Sequence, residues 1–238
     1  MACLRRRDGD ARKAEPRGSM IVEGTGPAVI LCSGLGGRAL DWDDAVSHIA
    51  GRTVIRFDRP GLDGRPDAAE LPTIAGEARR IADVLTSLAV AKADVVGHSM
   101  GGFYAEGFAR LYPDRCGRIL LLDSSVPDQR PFLPRRWRLA VAASAARAGA
   151  YLGAVVREYV AYPELCDEMR QLRERTPLTV PTTVAMADTG RRSWFGRRWM
   201  RLQRDLAREL DADFTVISPS RHRVMIDQPD AVATLITG

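Results

Sequence analysis

The sequence predicts an α/β architecture, a mostly parallel sheet with helices on both faces, on three observations. Short apolar runs recur along the 238 residues, at Ala28–Cys32, Thr53–Phe57, 94–96, 118–122, 181–186 and 214–217. Helical patterns separate them, near 41–50, 73–90, 101–112, 196–210 and 229–236. The third observation is Gly97-His98-Ser99-Met100-Gly101-Gly102, set between an apolar run and a helical one. There a strand must turn abruptly into a helix.

Taken along the chain, residues 1–18 are charged and punctuated by Gly and Pro, and read as a mobile tail ahead of a single domain at 19–238. The amino terminus is charged but has no apolar stretch after it, which excludes an ordinary secretory signal. At the turn after 94–96 the constraint is steric. Residues two before and two after Ser99 must be small, or their Cβ atoms would strike the strand and the helix. Gly97 and Gly101 meet that demand, Gly102 relaxes it further, and the Ser99 hydroxyl is pushed out above the sheet.

The runs at 118–122 and 181–186 are nearly sixty residues apart, far more than an ordinary crossover. An inserted helical lid is expected there, from about 131 to 177. Within it 139–156 is apolar and Ala-rich but carries Arg147, so it reads as a helix and not a membrane span. In the helix near 196–210, Phe195, Trp199, Leu202, Leu206 and Leu210 make one apolar stripe, with five arginines falling away from it.

Composition narrows the function. The formal charge is +5 and almost wholly arginine, since Lys13 and Lys92 are the only lysines. No reader motif gathers these charges, so a nucleic-acid partner is not expected. Cys3, Cys32, Cys116 and Cys166 show neither metal-site spacing nor a disulfide pattern. A reducing, cytoplasmic setting without metal or organic cofactor is expected.

The chain resembles the α/β-hydrolase superfamily, in its lidded single-domain branch of serine esterases, haloperoxidase-like perhydrolases, thioesterases and C–C hydrolases. Gly97–Gly102 resembles the family's nucleophile elbow. Leu31-Cys32-Ser33-Gly34-Leu35-Gly36-Gly37 is similar to its oxyanion loop, usually begun His-Gly. Phe57-Asp58-Arg59-Pro60-Gly61-Leu62 resembles its Asp-x-Pro-Gly-x-Gly turn. The segment from Ser220 to Pro229 resembles the Gly-His segment ahead of its last helix. The resemblance implies an α/β-hydrolase fold with the helical lid inserted after the family's sixth strand.

By the same resemblance Ser99 is the nucleophile, and the backbone N–H groups of Leu35 and Met100 form the oxyanion hole. The chain has only three histidines. His98 lies inside the elbow, His48 is far upstream, and the family order of nucleophile, acid and base leaves His222 as the base. The acid stays open between Asp123, which ends a strongly apolar strand, and Asp188 after the next run. Spacing favours Asp123. Ser33 and Arg221 depart from the family's usual His and Gly. The implied activity is acyl transfer on a small, partly apolar ester or thioester, with no membrane partner. Aromatic residues of the lid (Phe132, Trp137, Tyr151, Tyr159 and Tyr162) are expected to wall the acyl pocket. The same resemblance is compatible with a ligand- or partner-binding protein that has lost catalysis, and it is silent on oligomeric state.

Overall fold

A computed structural model describes residues 20–65, 70–128, 136, 137, 140, 149–191 and 193–238. The predicted tail therefore lies outside the described residues, as does much of the predicted lid, including Phe132. The sheet has seven strands, β1 (Met20–Glu23), β2 (Ala28–Cys32), β3 (Thr53–Phe57), β4 (Ala93–His98), β5 (Cys116–Leu122), β6 (Thr182–Ala187) and β7 (Asp213–Ile217). Their order is β1-β3-β2-β4-β5-β6-β7, with β1 antiparallel to β3 and every other pair parallel. All six expected strands are present. β1 is the addition: a four-residue edge strand with no fully buried position, too short and too mixed to stand out as an apolar run.

The helices are α1 (Asp43–Val46), α2 (Ile74–Ser87), α3 (Gly101–Leu111), α4 (Ala150–Arg175), α5 (Trp194–Glu209), α6 (Val224–Asp227) and α7 (Pro229–Thr237). A 3-10 turn at Ala39–Trp42 precedes α1. Strand side chains alternate between faces, and the core divides accordingly. Ile30, Ile55, Val95, Ile119 and Leu121 pack with α2, α3 and α5. Val29, Leu31, Val54, Val96, Leu120 and Leu122 face Trp42, α1, α6 and α7. Both faces are thus covered, which is why β2 reads Ala-Val-Ile-Leu-Cys without a polar residue.

The insertion between β5 and β6 includes α4, whose Ala161, Leu165 and Met169 form a third core cluster with Ile74 of α2 and Phe103 and Tyr104 of α3. The stripe on α5 begins later than its spacing predicts. Phe195 is 66% exposed, whereas Leu206 and Leu210 are buried. Among the described residues no helix is long and apolar enough to cross a membrane, and no cluster of ligating side chains could hold a metal ion.

Chain direction decides where a site can form. From β2 the chain moves outward to β3 on one side, and β4 lies on the other side of β2. The loops after β2 and β4 therefore diverge, leaving a crevice at the carboxyl ends of these two strands.

Candidate active site

Ser99 occupies the turn between β4 and α3 with φ of 53°, a left-handed conformation that a residue with a side chain rarely adopts. Its glycine neighbours are obligatory. A Cβ on Gly97 would lie 2.4 Å from the Gly101 carbonyl oxygen, and one on Gly101 would lie 2.3 Å from that of Cys32. Asp123, just past the end of β5, has φ of 44°, and the Ser99 N–H donates to the Leu122 carbonyl at 3.2 Å. Two adjacent strands thus deliver a hydroxyl and a carboxylate to the same edge.

His222 comes from the loop after β7 and joins them. Its Nδ1 lies 2.6 Å from Asp123 Oδ2, and its Nε2 lies 3.0 Å from Ser99 Oγ. A carboxylate only accepts, so the imidazole proton sits on Nδ1 and Nε2 is the acceptor for the serine hydroxyl. Asp123 is buried, and its second oxygen accepts from the Ala187 N–H at 3.1 Å and the Trp199 indole N–H at 2.7 Å. Asp188 is elsewhere: its carboxylate accepts from the Gly190 N–H at 3.2 Å, and its backbone carbonyl from Ser220 at 2.7 Å.

The loop after β2 runs beside this chain. A Cβ on Gly34 would lie 2.9 Å from Ser99 Cβ. Among the described residues the N–H groups of Leu35 and Met100 have no protein acceptor. Ser33 accepts from Trp42 Nε1 and donates to the Arg38 carbonyl, each at 2.9 Å, so it anchors the loop. The Arg221 guanidinium is 81% exposed and paired with Asp227 at 2.8 Å.

His98 does more than its place beside Ser99 suggests. Its Nε2–H donates to the His222 carbonyl at 2.7 Å, and the two rings lie 4.7 Å apart. Burial pushes His98 down to about 4, so the ring is neutral at neutral pH and serves as a fixed donor to the His222 loop. Among the described residues no disulfide links the cysteines, and burial pushes the thiols of Cys32, Cys116 and Cys166 up to about 12, which leaves them unreactive.

A cleft of about 410 Å³ opens over Ser99 and His222, bounded by Leu35, Tyr151 and Met225 with Asp41 and Arg223 at its edge. Of the lid aromatics expected to wall it, Tyr151 does so. Tyr162 packs on Phe103 of the elbow helix at 6.0 Å between rings, and Trp137 is exposed.

A doubly covered parallel sheet with a serine turn and a distant histidine at its carboxyl edge defines the α/β-hydrolase fold. A model of the Alpha/beta hydrolase family matches residues 29–235, and the chain belongs to that family. It is 34% identical, over 119 residues, to a 2-hydroxy-6-oxononadienedioate/2-hydroxy-6-oxononatrienedioate hydrolase of Burkholderia vietnamiensis, covering 47% of this chain and 41% of that one. To a 2-hydroxy-6-oxo-6-phenylhexa-2,4-dienoate hydrolase of Burkholderia cepacia it is 37% identical over 106 residues, 42% of this chain and 37% of the other. The chain thus spans about two fifths of the length of these curated relatives. Among solved structures, a thermophilic esterase from Thermogutta terrifontis shares the fold with a TM-score of 0.76 at 22% identity, over 92% of this chain and 91% of its own.

Proposed function

We propose that this α/β hydrolase is a serine hydrolase that cleaves a small, partly apolar carboxylic ester or thioester through an acyl-enzyme on Ser99. The observation that carries the reading is the unbroken chain Ser99 Oγ–His222 Nε2 at 3.0 Å and His222 Nδ1–Asp123 Oδ2 at 2.6 Å, beside two backbone N–H groups, of Leu35 and Met100, that meet no acceptor among the described residues. In this reading Ser99 Oγ passes its proton to His222 Nε2 and attacks the substrate carbonyl carbon. The carbonyl π electrons move onto oxygen, and the N–H groups of Leu35 and Met100 hold that oxyanion. Collapse expels the alcohol or thiol, protonated by His222. Water, deprotonated by His222, then attacks the acyl carbon, releases the acid and returns the proton to Ser99. Asp123 holds the His222 tautomer and balances the imidazolium.

The cleft supports the substrate class. Leu35, Tyr151 and Met225 offer apolar surface, while Asp41 and Arg223 pair at 2.7 Å and cancel one another at its edge. The names of the two curated relatives favour a second substrate, a 2-hydroxy-6-oxo-dienoate processed on the same residues. Turnover of p-nitrophenyl acetate and butyrate, alongside such a dienoate, by the wild type, Ser99→Ala and Asp123→Asn tests both. The Ser99→Ala change is expected to lower kcat by about 10⁴-fold or more and Asp123→Asn by about 10³–10⁴-fold. Wild-type protein that turns over none of these and does not react with a fluorophosphonate probe would instead be a binding protein on a hydrolase fold.

A further inference from the structure

Arg59 and Glu158 take part in no step above, yet both are buried, 5% exposed each, against the loop that carries Leu35. Three side chains leaving β3 fasten residues 33–39. Arg56 donates to the Ala39 carbonyl at 3.1 Å, and Asp58 accepts from the Ala39 N–H at 2.7 Å. Arg59 reaches furthest in. Its Nη1 donates to the Ser33 carbonyl and its Nη2 to the Gly34 carbonyl, each at 2.6 Å. Its Nε and Nη2 donate to Glu158 Oε1 and Oε2 at 2.6 and 3.1 Å. Glu158, on α4, completes the frame by accepting the Gly36 N–H at 2.7 Å.

The ion pair thus binds the loop at Ser33, Gly34 and Gly36, and the group left between them is the Leu35 N–H. A glycine-flanked amide has little rotational constraint of its own, and Gly36 stands in the left-handed region at φ of +66°. Within the loop the Gly37 N–H donates to the Gly34 carbonyl at 3.0 Å and closes the turn over Leu35 and Gly36, and the Arg59–Glu158 pair seats that turn from outside. The Arg59 guanidinium also lies 5.4 Å from the centre of the Tyr104 ring, and Val155 of α4 sits within 3.1 Å of where a Gly36 Cβ would be. Buried ion pairs add little stability over apolar residues of the same volume. The geometry that this one imposes accounts better for its place.

We propose that Arg59 and Glu158 are a positioning pair that aims the Leu35 N–H at the oxyanion, so that transition-state stabilisation depends on the seating of α4. The proposal rests on the serine-hydrolase reading and deepens it. An aimed donor acts on the tetrahedral state more than on bound substrate, so the effect falls on kcat and leaves KM nearly unchanged.

The experiment compares wild type, Glu158→Gln and the double variant Arg59→Met with Glu158→Leu, reading kcat and KM for p-nitrophenyl acetate, Ki for an alkyl boronic acid, and Tm. Glu158→Gln removes the one carboxylate among the described residues that is hydrogen-bonded to Arg59, and both Tm and kcat are expected to fall. The double variant removes both charges together, and its Tm is expected to recover towards that of the wild type. Its kcat is expected to stay about 10–100-fold low, with the boronate Ki raised in proportion. A folded double variant with wild-type kcat and boronate affinity would overturn the proposal and leave the hydrolase reading intact. A wild type with neither turnover nor fluorophosphonate labelling would remove the hydrolase reading, and the proposal with it.

Discussion

Ser99 and Asp123 carry positive φ angles at the ends of neighbouring strands, and the glycines around Ser99 are what permit the first of these. A Cβ on Gly97 would come within 2.4 Å of the Gly101 carbonyl oxygen and 2.6 Å of Gly102 Cα, both backbone atoms that have no rotamer to yield. Gly97→Ala is therefore expected to destabilise the protein by about 3 kcal/mol, roughly 6–12 °C in Tm, and, under the proposed serine-hydrolase function, to abolish ester turnover by shifting Ser99 away from His222. Thermal melting and p-nitrophenyl butyrate assays check both parts. This constraint is local, set by atoms within five residues of one another, and so it was legible in Gly97-His98-Ser99-Met100-Gly101 as written. Gly101 differs, since the atom its Cβ would strike at 2.3 Å is the carbonyl oxygen of Cys32 on β2, which no local pattern shows. His98 illustrates the opposite case. Its neighbour in sequence is Ser99, but its partner is the carbonyl of His222, 124 residues on.

At the scale of elements, α5 is more than a cover for the sheet. Its spacing identified Trp199 as part of an apolar stripe, and the ring is indeed packed against the core. The stripe did not reveal that the indole N–H reaches Asp123 Oδ1 at 2.7 Å, because periodicity reports which face is buried and not which polar atom meets it. Trp199→Phe keeps an aromatic ring, smaller than the indole, and removes that donor, leaving the Ala187 N–H as the remaining donor to Asp123 Oδ1. The expected result is a loss of about 1.5–3 kcal/mol in stability, the value of a hydrogen bond to a charged group. A fall of about tenfold in kcat should accompany it as Asp123 loses its anchor. Urea titration and steady-state kinetics measure the two. An unchanged kcat in a destabilised variant would make Trp199 a packing residue only. α4 shows the same division: a helical insertion was expected from chain length alone, whereas Glu158 had no signal in sequence. Its partner Arg59 was visible only as a member of the turn Asp58-Arg59-Pro60-Gly61.

For the whole molecule, the buried neutral His98 makes stability depend on pH. Unfolded, the imidazole takes up a proton near pH 6.5, while in the fold burial holds it down to about 4. Below pH 6.5 the unfolded state therefore binds more protons, and stability falls as pH drops. The contribution is full above pH 6.5, is lost progressively towards pH 4 and amounts to roughly 3 kcal/mol. His98→Gln preserves a donor for the His222 carbonyl and does not titrate. Its Tm is expected to vary less than that of the wild type between pH 7 and pH 4.5, and parallel melting curves across that range would refute the assignment.

The amino-acid sequence by itself determined the succession of six of the seven strands with helices between them, the serine at a strand-to-helix turn and a single histidine downstream of it. Each depends on periodicity, on the size of adjacent residues or on order along the chain, all local or one-dimensional properties. Only the tertiary structure decided which carboxylate meets the imidazole and which side chains aim the loop after β2. Asp123 and His222 are 99 residues apart, as are Arg59 and Glu158. Contacts across such distances leave no spacing in the sequence; they arise when β5 and the β7 loop, or β3 and α4, are brought to one edge of the same sheet.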